Sequence, residues 1–382
     1  MAKNVKRNVL PHSQAKLDLY KSYISMYLPI LGYSPYVSAI NVFDIFCGTG
    51  IYDDGKLGSP LIAASCIQDF ENTVSSSKPV PLFINDFDHE KVTVVKKLIH
   101  ELKLKNCDVS DFNLDAAEMF KIVAQKINAS PKSERSLVFI DPYGYSKISR
   151  ESIISILQNG KSEIILFLPV AHMKRFSEGA LKDYDNKAYE NLRRFINDFL
   201  PDSSPIKRGV KIDVFDFIEE LRKAFSFGGK FYTASHYIER DAANYYALFF
   251  IGSHIYGLEK FVEAKWSNAS LGKGFNQKDR QPTLWGESQV EVDHYIIVEH
   301  LEKLLRHLFE DKKSLNNVGL YEFTLSNQFK PTHMNDLLRR WLNDRKLCIL
   351  DLNGHEVRST RTFGLTYDYY KENKVIFTFK RS

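Results

Sequence analysis

The chain has 382 residues, 44% of them hydrophobic and 26% charged, and carries a formal net charge of +5. That length exceeds one small domain and suits a large domain with a smaller one. The balance is that of an ordinary globular protein, which excludes a fibrous or disordered chain; the mild basicity permits a nucleic-acid partner without demanding one.

In chain order, residues 14–31 have helical periodicity, with apolar positions at 17, 20, 24, 27 and 28. A strand at 40–46 runs into the sequence CGTG, and 58–70 reads as a helix with Ser59 as a plausible cap and Pro60 in its first turn. Strands are expected at 80–85, near 108–114, at 136–141 and at 163–170, with helices at 89–104, after Asp115, and at 149–159. The strands are almost continuously apolar and alternate with helices. This predicts an α/β fold with a parallel, Rossmann-like sheet covered on both faces. Residues 171–228 read as a helical insertion or cap. Two consecutive strands, 231–239 and 244–254, are expected to close the sheet as an antiparallel pair, as in methyltransferase folds, with a helix at 257–267 after them.

Residues 268–285 lack periodicity and read as a linker, so the first domain is placed at 1–267 and the second at 286–382. In the second, helices at 287–311, 319–328 and 333–345, a turn at Lys330-Pro331-Thr332, and strands at 347–352 and 374–380 suggest winged-helix organisation. Lys330, Arg339 and Arg340, with Arg345, Lys346, Arg358 and Arg361, are its candidate phosphate contacts, diluted by Asp336, Asp344, Asp351 and Glu356. Nucleic acid and protein are equally good partners for such a unit.

The chemistry is expected where strands end. Asp44-Ile-Phe-Cys-Gly-Thr-Gly50 places glycines where backbone must approach a ligand. Dinucleotide binding is disfavoured, because position 53 is Asp53 rather than glycine and the next strand-end acid, Asp86, lies too far on. An acid before the glycines suits S-adenosylmethionine better. Asp44, Phe46, Gly48 and Gly50 are therefore candidate cofactor residues. Asp86, with Asp88 as the alternative, would accept the ribose hydroxyls, since an ionised carboxylate is an acceptor-only group matched to a diol. Asp88 suits helix capping equally well. Asp115 would accept from the adenine amino group. Asp141-Pro142-Tyr143, at the end of a strongly apolar strand, resembles the element with which amino-group methyltransferases hold a target NH2 and stack a flat substrate, with one proline fewer. Tyr145 is a further candidate substrate contact.

His12, Lys16, His172 and Lys174 lie near segments that face such a site, although a lone histidine is usually structural. A thiolate mechanism at Cys47 is rejected, since it needs a Pro-Cys element where Pro142 is followed by Tyr143. Cys47, Cys66, Cys107 and Cys348 form no CxxC pair and fit no zinc spacing, so no metal is expected and the location is read as cytoplasmic. No apolar run reaches spanning length and the basic start lacks a signal-peptide core, so no membrane association is expected.

Taken together, VFDIFCGTGIYDDGKLGSPLIAA (42–64), FINDFDHEKV (83–92), LVFIDPYGYSKIS (137–149) and FKPTHMNDLLRRWLNDRKLCIL (329–350) resemble the three-Cys-motif partner protein family. The resemblance covers most of the chain in the same order. It implies a class I S-adenosylmethionine-dependent methyltransferase-like fold, a winged-helix-like end, and a three-cysteine-motif partner protein similar to radical-adenosylmethionine proteins. Cys47 and Thr49 depart modestly from the family loop, and Asn85-Asp86 stands where the family often has Glu. DPYG is also similar to tRNA guanine dimethyltransferases. The leading expectation is an N-methyltransferase acting on an exocyclic amino group of a nucleobase in DNA or RNA. The rivals are methylation of a protein or small molecule, and a methyltransferase fold serving as partner or sensor in a modification or defence complex.

Overall fold

The computed structural model describes residues 8–75, 78–241, 243–268, 274–275, 289–312, 314–356, 364–372 and 375–379. These fall into two compact units, the first within Met1–Ala264 and Gly274–Gln281, the second within Lys265–Lys273 and Pro282–Ser382.

The first unit runs α1 (Pro11–Tyr33), β1 (Ala39–Asp44), α2 (Ser59–Thr73), β2 (Leu82–Asn85), α3 (His89–Glu101), β3 (Val109–Phe112), α4 (Ala116–Ala129), β4 (Glu134–Ile140), α5 (Arg150–Leu157), β5 (Ser162–Leu168), α6 (Val170–Lys182), α7 (Glu190–Phe199), α8 (Val214–Phe225), β6 (Tyr232–Asp241), β7 (Asn244–Gly252), α9 (Ile255–Asn268) and β8 (Gly274–Phe275). Its sheet has the order β3-β2-β1-β4-β5-β7-β6-β8. β1 pairs in parallel with β2 and β4, and β4 with β5. β7 runs antiparallel between β5 and β6. The α/β class, the mostly parallel Rossmann-like sheet and its antiparallel close are thus as the apolar runs predict.

The reason lies in those runs. β1 is buried at every position, and β4 and β5 are buried along nearly all their length, so both faces need cover. On one face Phe43, Phe83 and Val138 join Met119 and Phe120 of α4, Ile153 of α5 and the aromatic residues of α7 and α8 in one apolar cluster. On the other, Tyr23 of α1 meets Phe250 of β7 and Phe261 of α9. α1 begins at Pro11, a residue whose fixed φ and missing N–H suit a helix's first position, and so reaches three residues further forward than its periodicity suggests. The insertion after β5 is helical, as expected.

Several local readings need correction. α2 is capped by Gly58, and Ser59 is its first helical residue, so Ser59 is not the cap. Between Gly50 and α2 the chain makes a small hairpin, with Ile51 bridging Leu57, in a stretch to which the sequence reading assigned no element. Most of the expected linker 268–285 lies outside the described residues; within it, α9 extends to Asn268 and Gly274–Phe275 add a short edge strand parallel to β6.

The second unit comprises α10 (Gln289–Asp311), β9 (Ser314–Asn316), α11 (Asn317–Ser326), α12 (Pro331–Asn343), β10 (Leu347–Asp351), α13 (Tyr367–Tyr370) and β11 (Val375–Phe379). Its antiparallel sheet has the order β10-β11-β9, and Trp341 and Tyr321 are its largest fully buried side chains. β9 and α13 were not expected. The expected turn at Lys330-Pro331-Thr332 is the start of α12, with Lys330 as its N-cap and Pro331 in the first turn. Among the described residues no helix is long and apolar enough to cross a membrane.

Candidate functional site

The site is built at the carboxyl edge of the parallel strands, from the loops after β1, β2, β3 and β4. After β1 the chain turns through Gly48 and Gly50, both with φ in the left-handed region, at +59° and +72°. A side chain on Gly50 would meet Val95 of α3 at 2.7 Å, whereas beside Gly48 there is open space. The hairpin then returns the chain so that the Gly58 N–H donates to the Gly50 carbonyl at 2.6 Å. The start of α2 is thereby set against the glycine turn although eight residues separate them.

Asp44, the last residue of β1, is fully buried. The Phe46 N–H donates to its Oδ1 at 3.3 Å, while Oδ2 makes no hydrogen bond among the described residues. Burial pushes its carboxyl up to about 7; Asp141 adds to the rise, and the Ser59 hydroxyl, the Phe46 N–H and Lys16 oppose it. Phe46 itself is half-buried and packs against the apolar cluster, so its side chain serves the core. Cys47 is buried, and burial pushes its thiol far above the ordinary range.

The loop after β2 is fastened by two neighbouring residues with different tasks. Asn85 donates to the Ile45 carbonyl at 3.0 Å and to the Leu114 carbonyl at 3.2 Å, and accepts from the Leu114 N–H at 3.0 Å, tying the ends of β1 and β3 to β2. Asp86, only 6% exposed, accepts from the Gly48 N–H at 3.1 Å and from the Asp88 N–H at 2.9 Å, with the Lys91 ammonium 3.7 Å away. About two of the four acceptor positions of its carboxylate remain open. Asp88 caps α3, accepting from the Glu90 N–H at 3.1 Å. The capping role is therefore the one the structure gives Asp88, and an Asp88→Ala variant should lose about 1 kcal/mol of stability in urea unfolding while leaving ligand affinity at this edge unchanged. Between the two acids Phe87 is 79% exposed, a large apolar side chain standing at the edge of the site.

Asp115 caps α4 through the Ala117 N–H at 2.9 Å and pairs with Lys147 at 2.7 Å. Lys147, followed by the Ala117 N–H, holds its carboxyl below the usual range. After β4, Asp141 forms an ion pair with the buried Lys16 of α1. Burial pulls the Lys16 ammonium down, and Asp141 more than offsets this, leaving it raised. Tyr143 is 87% exposed, and the Lys91 ammonium lies 5.7 Å from the centre of its ring. Gly48, Asp86, Lys91, Tyr143, Asp141 and Asp44 are thus linked by contacts or near charges around one rim.

Other expected residues do not join it. Tyr145 is only 9% exposed and its hydroxyl lies 3.2 Å from His172 Nδ1, with Phe195 against its ring. This buries it under the helical insertion, and the substrate-contact reading of Tyr145 is corrected accordingly. Arg339 pairs with Asp336 at 2.7 Å and Arg340 with Glu302, so the candidate phosphate contacts of α12 are largely neutralised by local acids. Lys330 is half-buried at the helix start, and Arg358 and Arg361 lie outside the described residues. Sequence reasoning missed Phe87, whose exposure no local pattern announces, and Tyr52, which the hairpin brings close to Lys16, Asp141 and Tyr143. No group of three or more His, Cys, Asp or Glu able to hold a metal occurs among the described residues.

No family model matches the chain, and no curated protein matches it. Among solved structures, 64% of the chain is similar to 83% of an O-methyltransferase from Bacillus cereus in complex with SAH, at 14% identity and a TM-score of 0.34. Separately, 61% of the chain is similar to 79% of the O-methyltransferase TomG from Streptomyces achromogenes, at 10% identity and a TM-score of 0.33. An rRNA methylase from Streptococcus thermophilus is similar over 94% of its own length and 60% of this chain, at 9% identity and a TM-score of 0.30.

Proposed function

We propose that the chain is an S-adenosylmethionine-dependent methyltransferase whose acceptor is an exocyclic amino group of a nucleobase in DNA or RNA. The observation that carries this reading is the convergence of four loop ends at one sheet edge, with an orphaned, buried Asp44 oxygen and an open space beside Gly48. The residues present fit the cofactor. Asp44 and the glycine turn would hold its amino-acid end, Asp86 would use its free acceptor positions for the ribose diol, Phe87 would cover one face of the adenine, and Asp115 would meet the adenine amino group in competition with Lys147. When bound, the cofactor supplies a methyl group on a sulfonium centre.

The chain's own residues supply orientation. An amine conjugated to a ring is a weak nucleophile and must be held close and in line. Asp141, with Oδ2 committed to Lys16, would accept from the target NH2 through its other oxygen, and the exposed Tyr143 ring would stack on the base. The Lys16 charge balances Asp141, so that the site does not trap a second cation. Tritiated-methyl transfer onto denatured DNA and total RNA tests the reading. The wild type should label one of them, Asp141→Ala should lose most of that labelling, and Tyr143→Ala should raise KM with a smaller change in kcat. Equal labelling by wild type and Asp141→Ala would remove the acceptor role of Asp141.

We read the second unit as winged-helix-like, on the order helix, short strand, two helices and two strands, with β9 pairing to β11 beside β10. Because Arg339 and Arg340 are paired, this reading favours a protein as its partner over a phosphate backbone. A three-cysteine-motif protein is the proposed partner. The same observation keeps open a second function, a methyltransferase fold acting as a subunit of a modification complex, for which loss of all labelling with retained adenosylhomocysteine binding would speak.

A further inference from the structure

α1 sends two side chains to the ends of two strands. Lys16 and Tyr20 are four residues apart and so share a helix face. Lys16 is bonded to Asp141, just beyond β4. The Tyr20 ring lies against Phe139 of β4, with centroids 4.3 Å apart. Phe139 stands opposite Asp44 in the parallel register of β1 and β4. Their neighbours Phe43 and Val138 belong to the apolar cluster on the other face of the sheet, so alternation turns Asp44 and Phe139 toward α1. The phenol and the carboxyl are thus brought together, near enough for the Asp44 charge to act on the Tyr20 hydroxyl.

The two contacts of α1 differ in one respect. Lys16 and Asp141 bond directly, whereas Tyr20 Oη and Asp44 Oδ2 bond neither to each other nor to any other described residue. Both side chains are fully buried. Buried polar atoms are almost always paired, and two neighbouring orphans mark a place for one shared partner. Their surroundings define that partner. Lys16 is the cation that faces Asp44, and its ammonium is committed to Asp141; Asp141 itself, Ser59 of α2 and Cys47 are the other polar side chains turned to the carboxyl. An ionised Asp44 therefore lacks a counter-charge of its own. A carboxylate oxygen only accepts, and a phenol oxygen accepts as well as donates. An ammonium donates along more than one axis and brings positive charge. It can bond to both oxygens and leave the phenol proton for the second lone pair of Oδ2. A carboxylate or phosphate would be repelled, and an amide would bring no charge.

We propose that Tyr20 Oη and Asp44 Oδ2 together seat the α-ammonium of the methyl donor, which makes Tyr20 a ligand-binding residue supplied by α1. The assignment rests on the methyl-donor reading above and adds to it a contact from outside the strand-end loops. Its consequence is selectivity. A nucleoside thioether that carries the amino group satisfies both buried oxygens, whereas one without it gains nothing there. The hydroxyl of Tyr20 should therefore matter only to ligands that bring an ammonium.

The test uses the full chain and calorimetry with two ligands, adenosylhomocysteine and its analogue with hydrogen in place of the amino group. The wild type should bind adenosylhomocysteine about 100-fold more tightly than the analogue, since hydrogen bonds to a charged group are the strong ones. Tyr20→Phe removes one unpaired hydroxyl and keeps the ring on Phe139; thermal unfolding checks that it is folded. In that variant the affinity for adenosylhomocysteine should fall about 10-fold, and that for the analogue should stay within about twofold. Equal losses for the two ligands, as a water bridging the two oxygens would give, or no loss for either, would overturn the assignment while leaving the cofactor reading intact. Wild-type protein that binds both ligands alike would overturn it without recourse to a variant. Absence of adenosylhomocysteine binding to the wild type would remove both.

Discussion

Asp86→Ala should weaken adenosylhomocysteine binding about 1000-fold. The expectation combines two losses. The carboxylate would no longer accept from the ribose hydroxyls, and hydrogen bonds to a charged group contribute about 1.5–3 kcal/mol each. The Gly48 and Asp88 N–H groups would also lose their shared acceptor, so the glycine turn would no longer be held in its binding shape. Calorimetry measures the affinity, and thermal unfolding of the free protein separates it from general damage. Asp86→Asn, which keeps one acceptor for Gly48, should fall between the two. An affinity within threefold of wild type in Asp86→Ala would show that no diol is bound there.

Glu163→Gln should change how stability depends on pH, by about 3 kcal/mol at the alkaline end. Glu163 lies on β5, accepts a hydrogen bond from the Tyr23 hydroxyl of α1, and presses so closely on α9 that a Cβ at Gly257 would sit 2.1 Å from its Oε1. Burial pushes its carboxyl from an ordinary 4.5 up to about 7, against the Tyr23 hydrogen bond and the Arg135 charge. A carboxyl with a raised folded value contributes stability that is fully present below its unfolded value and is lost as pH rises through its folded value. The wild type should therefore lose stability between about pH 4.5 and pH 7, and each unit of displacement corresponds to about 1.4 kcal/mol. Partial exposure of the side chain makes 3 kcal/mol an upper figure. Glutamine keeps an acceptor for Tyr23 and cannot ionise, so urea unfolding should find the variant close to wild type at pH 4 and more stable at pH 8. Asp44, raised to about 7 by burial, leaves a residual slope of the same sign in the variant. Equal pH dependence in the two proteins would place the Glu163 carboxylate in water.

What could be read from the sequence and what could not divides by the range of the interaction. β1, β2 and β4 announce themselves because strands covered on both faces must be largely apolar, and their ends then locate Asp44, Asp86 and Asp141 at one edge. The hairpin from Ile51 to Leu57 was missed because two apolar residues six apart carry no periodicity. α12 was begun too late because a proline in a helix's first turn looks the same in sequence as a proline in a loop. Tyr145 follows DPYG as though it belonged to the site, yet the backbone turns it beneath the insertion, where His172 and Phe195 receive it. The Lys16–Asp141 pair spans 125 positions, and nothing local to either residue predicts the other. His12, singled out only as a lone histidine near the site, stacks on Tyr246 of β7, which stacks on Phe167 of β5, partners that nothing near it in sequence announces.

The position of β7 has a consequence for how the protein is made. β5 ends at Leu168, and the strand that covers its free edge does not begin until Asn244. A nascent chain emerging from the ribosome must therefore carry β5 with one row of N–H and C=O groups unpaired while all of α6, α7 and α8 are synthesised. The helices of the insertion pack against the same apolar cluster as β5 and can shield its face, but only β7 can satisfy its edge. A chain released before residue 252 would present an adhesive strand, and such fragments should be found with chaperones or in aggregates.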